Sequence, residues 1–102
     1  MDIFPRELEP FMDAQHRLTA LPSKNRKKLA AIHYLAGKLE AGRCYTESEV
    51  NDILNDWALF HDPATLRREM YNKHLLDRSD DGHIYRRADT LPELAVFIAK
   101  YI

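Results

Sequence analysis

Four cations, Lys24, Arg26, Lys27 and Lys28, fall within five residues, immediately before an apolar helical repeat. That spacing crowds them into the first turn of a helix. The positive end of the backbone dipole lies there, and each cation is disfavoured by roughly 0.3 to 1 kcal/mol. Such a placement asks for an anion, and exposed amides beside four cations suit the phosphates of a nucleic-acid backbone. The plainer alternative is that these side chains pair with the acidic helix that follows or sit in water. A second set lies on a predicted helix, with Thr65, Arg68 and Asn72 turned outward and Arg67 and Lys73 on the flanks. An arginine fork grips guanine edges or phosphates, and an asparagine one turn on can address adenine. For Arg67 the competing role is an ion pair with a carboxylate of the preceding helix, and that role is favoured. Arg68 lies further from the apolar stripe and is expected to be exposed. Arg86 and Arg87 complete the basic set, but Asp77, Asp80 and Asp81 dilute it and make that strand pair a poor phosphate binder.

No catalytic constellation accompanies these cations. His16, His33, His61, His74 and His83 lack the paired spacing of a metal-binding helix, and one cysteine, Cys44, cannot form a thiolate cluster. His33 lies at the edge of an apolar face and reads as a packed side chain. Glu47 and Glu49 resemble an acid–base pair only by proximity, because Glu49 already has a capping task. Three glycines leave no phosphate-cradling loop. The chain is therefore expected not to be an enzyme and to need no metal or cofactor.

The sequence holds 102 residues, 15 Lys+Arg against 16 Asp+Glu, and 45% apolar residues. This suits one compact domain with its own core. No run approaches the roughly 18 apolar residues of a membrane span, and no leader pattern opens the chain, so a soluble cytoplasmic protein is expected. A net charge of −1 excludes a globally basic nucleic-acid binder. The charge is nevertheless zoned. Residues 1–45 are net positive, residues 46–62 carry acids and no Lys or Arg, and residues 63–102 are slightly positive.

Several elements must position these groups. Phe4, Leu8, Phe11 and Met12 suggest a short helix within residues 5–14, interrupted or started by Pro10. Ser23 is placed to cap a helix bearing Leu29, Ile32, Leu35, Ala36 and Leu39, with Gly42 as its stop. Cys44-Tyr45 suits a single bridge of strand. Thr46-Glu47-Ser48-Glu49 is a capping box, followed by Val50, Ile53, Leu54 and Trp57 on one helical face. Asp62-Pro63 starts another helix running to about Lys73, with Leu66 and Met70 inward. Asp81-Gly82 reads as the two-residue turn of a hairpin that sets Ser79 opposite Ile84, Arg78 opposite Tyr85, and Asp77 opposite Arg86 as an ion pair. The stretch from Leu91 to Ile102 is apolar almost all round. It must either pack across the bundle or be covered by a second copy through Leu94, Phe97, Ile98 and Tyr101.

Helix, helix, helix, then a hairpin is the order of a winged helix, whose second and third helices form a helix-turn-helix pair. The expected class is mainly α with a small β-hairpin, a winged-helix-like domain with helical extensions at both ends. Residues 17–87 form the core, 1–16 an N-terminal helical extension and 88–102 a C-terminal apolar helix. The core also resembles the bacterial domain of unknown function 2087. The resemblance rests on Arg17-Leu18, Leu21-Pro22-x-Lys24-x-x-Lys27-Lys28-Leu29, Tyr45-Thr46-Glu47-x-Glu49-Val50-Asn51, Leu66-Arg67-Arg68-Glu69, and Leu76-x-Arg78 followed by Gly82 and Tyr85. It departs at His74, where a glycine closing the third helix is expected; the helix is therefore expected to end differently here. The resemblance implies a transcription regulator contacting duplex DNA. The competing expectation is a protein-interaction or dimerisation module on the same scaffold, without nucleic-acid binding.

Overall fold

A computed structural model of the chain describes residues 4–102. Its core is built on the helix whose apolar residues repeat at three-and-four spacing: α1 (Asn25–Ala36) buries Leu29, Ala30, Ile32 and Leu35. Its boundaries differ from those expected. Lys24, with extended backbone, is the N-terminal flank, and its side chain caps nothing. Ser23 therefore stands one residue too early to serve. The helix also ends sooner, at Ala36, because Gly37 and the turn after it divert the chain. Gly42 instead shapes the approach to the next strand, at φ +71°, where a Cβ would crowd Asp89 and Arg86.

The next segment is β1 (Cys44–Thr46), a full strand rather than a lone bridge. It forms because the later hairpin offers it an open edge: Cys44 pairs with Arg86, Tyr45 with Tyr85 and Thr46 with Ile84. The capping box is present as read. The Glu49 amide donates to Thr46 Oγ1 at 3.1 Å and the Thr46 amide to Glu49 Oε1 at 2.9 Å, opening α2 (Glu47–Trp57). Those bonds to Thr46 hold the Glu49 carboxyl below the usual glutamate range. Asp62 accepts from the Thr65 amide and Pro63 takes the first position of α3 (Pro63–Asn72), which buries Leu66 and Met70. His74 ends α3 at φ 61°, so the left-handed cap is made without glycine. Its amide donates to Tyr71 and that of Leu75 to Met70, closing the last turn.

β2 (Leu76–Arg78) and β3 (Ile84–Arg87) complete an antiparallel sheet in the order β1-β3-β2. The register is the one the sequence implies, Asp77 opposite Arg86 and Arg78 opposite Tyr85. The turn is different. Gly82 N donates to Ser79 O, which places Asp80-Asp81 at the corner and Gly82 after it, at φ +76°. Asp81 accepts from the Ser79 hydroxyl and the His83 amide, and so keeps an ordinary backbone while Gly82 takes the left-handed one. Among the described residues, the expected ion pair between Asp77 and Arg86 does not form despite their register: Arg86 instead pairs with Asp89 at 2.9 Å, reached along its own strand end, and donates to Gly42 O.

Residues 4–16 of the N-terminal extension, whose first three residues lie outside the described ones, and the C-terminal extension fold onto this unit. Arg6–Phe11 forms a 3-10 helix that contains Pro10, and Leu8 beneath it is buried. An extended piece follows, with Leu18 bridging to Met12 and to Ala58. Residues 94–101 form α4 (Leu94–Tyr101), which begins after Pro92 and packs on α1. Phe97 and Ile98 are 1% and 3% exposed within the single chain. Of the two coverings expected, packing across the bundle is the one found for Phe97 and Ile98: their apolar partner is α1 of the same molecule. His33 is packed too, its ring 5.5 Å from that of Phe97 and its Nε2 2.7 Å from the Pro92 carbonyl. Among the described residues, no helix is long and apolar enough to cross a membrane.

Candidate functional site

With Leu66 and Met70 turned inward, the 100° step of α3 sends Arg68, Tyr71 and Asn72 outward, and all three are exposed. β2 and β3 stand beside that face. Between helix and strands lies a half-open cleft of about 340 Å³, lined by Ala64, Arg67, Arg68, Tyr71, Asn72, Arg78 and Tyr85. Three of the seven are arginines and none is acidic.

Each arginine is held differently. Arg67 is the floor, its side chain 16% exposed. Nε donates to Asn51 Oδ1 at 2.8 Å, and Nη1 to Glu47 Oε1 at 2.8 Å and to the Tyr85 hydroxyl at 3.0 Å. The expected ion pair between α3 and the preceding helix is therefore formed, with two further acceptors. Arg78 projects from β2 and lies over the Tyr71 ring at 4.7 Å. Stacking of this kind holds a guanidinium in place while leaving its in-plane donors at the edges. Arg68 is exposed on the rim, with Asn72 one turn on.

The remaining expected site residues lie elsewhere. Thr65 is half-buried at the start of α3, where its amide is engaged by Asp62. Lys73, at the other end of α3, bonds Glu69, which Lys28 also approaches at 3.9 Å. That hydrogen bond from Lys73, aided by the charges of Lys73, Lys28 and Arg68, holds the Glu69 carboxyl below its usual range against the opposing effect of burial. Arg26 reaches Glu7 at 3.5 Å, Lys27 lies 6.0 Å from the Phe11 ring, and Lys24 is exposed. Three of the four cations at the start of α1 thus turn toward two parts of the molecule, Arg26 and Lys27 toward the 3-10 helix and Lys28 toward α3, while Lys24 stays exposed, rather than all converging on one anion. Arg87 donates to the carbonyls of Leu39, Ala88 and Asp89 and serves as backbone support. Arg86 is engaged with Asp89 and Gly42. Leu94 and Tyr101 are half-buried against the same core that holds Phe97 and Ile98.

Sequence reasoning had not assigned Arg78, Tyr71, Tyr85 or Ala64 to this site. The signal for two of them was present, since the hairpin register already set Arg78 beside Tyr85. What it lacked was the packing of that pair against α3. Among the described residues, no three His, Cys, Asp or Glu side chains gather closely enough to hold a metal ion.

No curated protein and no solved structure matches the chain. A family model does match, over residues 17–87, which contain α1 through β3 and every residue lining the cleft. Glu47, Asn51, Arg67 and Tyr85 lie within the matched residues and form one bonded unit, so part of the sequence pattern has a direct structural task. The chain belongs to this family, the domain of unknown function 2087, an uncharacterized protein conserved in bacteria.

Proposed function

We propose that this chain is a nucleic-acid-binding domain of winged-helix build, a transcription-regulator module that meets duplex DNA with the outward face of α3 and the strands beside it. The observation that carries this reading is the cleft, which gathers three arginines and no carboxylate beside an exposed helix face. The element order supports it. A strand between the first two helices joins a hairpin after the third, as in winged helices. Asn72 supplies base-reading chemistry, Arg68 supplies positive charge beside it, and phosphates supply most of the affinity. The expected contribution of the start of α1 is left out of this reading, because Arg26, Lys27 and Lys28 turn toward Glu7, Phe11 and Glu69. Fluorescence anisotropy with duplex DNA at low salt tests the reading. The expected result is salt-sensitive binding that weakens in Arg68→Ala, and absence of binding by the intact chain overturns it.

A second reading, self-association, is favoured by exposed apolar groups at α4, where Val96 on the helix and Ile102 just after it are 58% and 64% exposed. Light scattering of the full chain and of Val96→Glu decides it: a monomer in both discards self-association.

A further inference from the structure

We infer that the cleft is a phosphate seat shared between helix and sheet, in which Arg68 of α3 and Arg78 of β2 close on one backbone phosphate of a nucleic acid. This deepens the reading above and rests on it. Three observations carry the step.

The first is the division of labour among the arginines. Arg67 has its donors committed to Glu47, Asn51 and Tyr85, so its charge is largely answered from within the protein. Arg68 and Arg78 differ: among the described residues, neither stands within ion-pair distance of a carboxylate. Arg68 acts on Glu69 only from beyond ion-pair distance and Arg78 rests on an aromatic ring, so both forks keep donors free to take an anion from outside.

The second is preorganisation. The Tyr71 ring supports Arg78 from below at 4.7 Å, so less side-chain freedom is lost when its fork engages an oxyanion. The register with Tyr85 fixes the strand from which Arg78 projects. An arginine fork takes two oxygens of one phosphate together, a geometry that lysine lacks.

The third is shape. The cleft is at the small end of ligand sites, which run from roughly 300 to 1,000 Å³, and it is half open. A single phosphate fits within it while the chain on either side passes out over Asn72 and the exposed part of Tyr71.

The test uses the full chain with two probes. Random-sequence duplex DNA is titrated by anisotropy against wild type, Arg68→Gln, Arg78→Gln and the control Arg86→Gln, each first shown by circular dichroism to melt as a folded protein. Inorganic phosphate is titrated separately while the Nε–H resonances of Arg68 and Arg78 are followed by NMR. The expected result is a loss of about tenfold in duplex affinity for each of the first two variants. The slope of log affinity against log salt should fall by about 0.9 in each, with Arg86→Gln unchanged. Phosphate should shift both resonances together. If the duplex binds and Arg78→Gln keeps the wild-type slope, the seat is overturned while the nucleic-acid reading stands. If phosphate shifts both resonances but the duplex does not bind, the nucleic acid is overturned as its source. Silence toward both probes overturns both ideas.

Discussion

The start of α1 and the outer face of α3 carry comparable positive charge, yet their surroundings treat it in opposite ways. At α1, Arg26, Lys27 and Lys28 sit on consecutive helical positions, so the 100° step fans them outward and they meet Glu7, Phe11 and Glu69 respectively, while Lys24 before the helix stays exposed. At α3 the arginines come from two elements and are drawn together by packing, and among the described residues only the half-buried Arg67 is ion-paired, with Glu47. Density of charge along a sequence is therefore a poor guide to density of charge in space. Helical neighbours diverge, and residues far apart in the chain converge.

The largest effect expected from breaking this contrast is at Arg67. Arg67→Ala leaves Glu47, Asn51 and the Tyr85 hydroxyl without their shared donor, and should cost about 2 kcal/mol, since unpaired partly buried polar groups cost roughly 1 to 3. Urea denaturation measures it, with Lys27→Ala as the matched change at α1, expected to shift stability by less than about 0.5 kcal/mol. Equal losses would erase the distinction between the two regions.

Next in size is the end of α3 against the end of α1. Gly37 follows α1 in a right-handed conformation, whereas His74 ends α3 at φ 61°. A residue with a Cβ is strained there by roughly 1 kcal/mol, and glycine is not. His74→Gly should therefore raise the melting temperature by a few degrees, about 1 kcal/mol of stability, whereas Gly37→Ala should do nothing comparable. A fall in the His74→Gly melting temperature would show that the imidazole itself stabilises the turn.

Smaller again is the response to acid. The folded-state carboxyl of Glu69 titrates below the ordinary value of 4.5, through its bond to Lys73 and its proximity to Lys28 and Arg68. A depressed carboxyl contributes stability that is fully present above that value and is lost as the pH falls below it. Thermal melts at pH 6 and pH 3 should therefore differ less in Glu69→Gln than in wild type. An identical acid response would mean that this junction between α1 and α3 contributes nothing. The smallest expected effect is on duplex affinity at Lys24→Ala, a change within about twofold, since an exposed cation outside the cleft adds only distant attraction.

Much of the fold was legible because local rules governed it. The capping box at Thr46, the Asp62-Pro63 start and the 79–84 register are set by a few neighbouring residues, and they appear as read. The stop of α1 at Ala36 and the third strand at Cys44–Thr46 were not, because the first depends on a turn with weak signals and the second on an edge supplied forty residues later. The site divides along the same line. Arg68 and Asn72 were visible from helical phase alone, and Arg67's partner from its flank position. Arg78 and Tyr71 were hidden because their adjacency is tertiary. The apolar tail was ambiguous for a related reason: periodicity shows that a helix must be covered, and only packing shows that α1 is what covers it.

Tyr101 joins the far end of the chain to the helix that faces outward. Its hydroxyl donates to the Lys73 carbonyl at 3.1 Å, its ring lies 5.2 Å from that of Phe97, and its carbonyl is reached by Asn25 at 3.5 Å. One side chain therefore latches the tip of α3 to the helix lying across α1. The last helix thereby braces the end of α3, so Tyr101→Phe is expected to leave the Lys73 carbonyl without that donor and to loosen the final turn before β2.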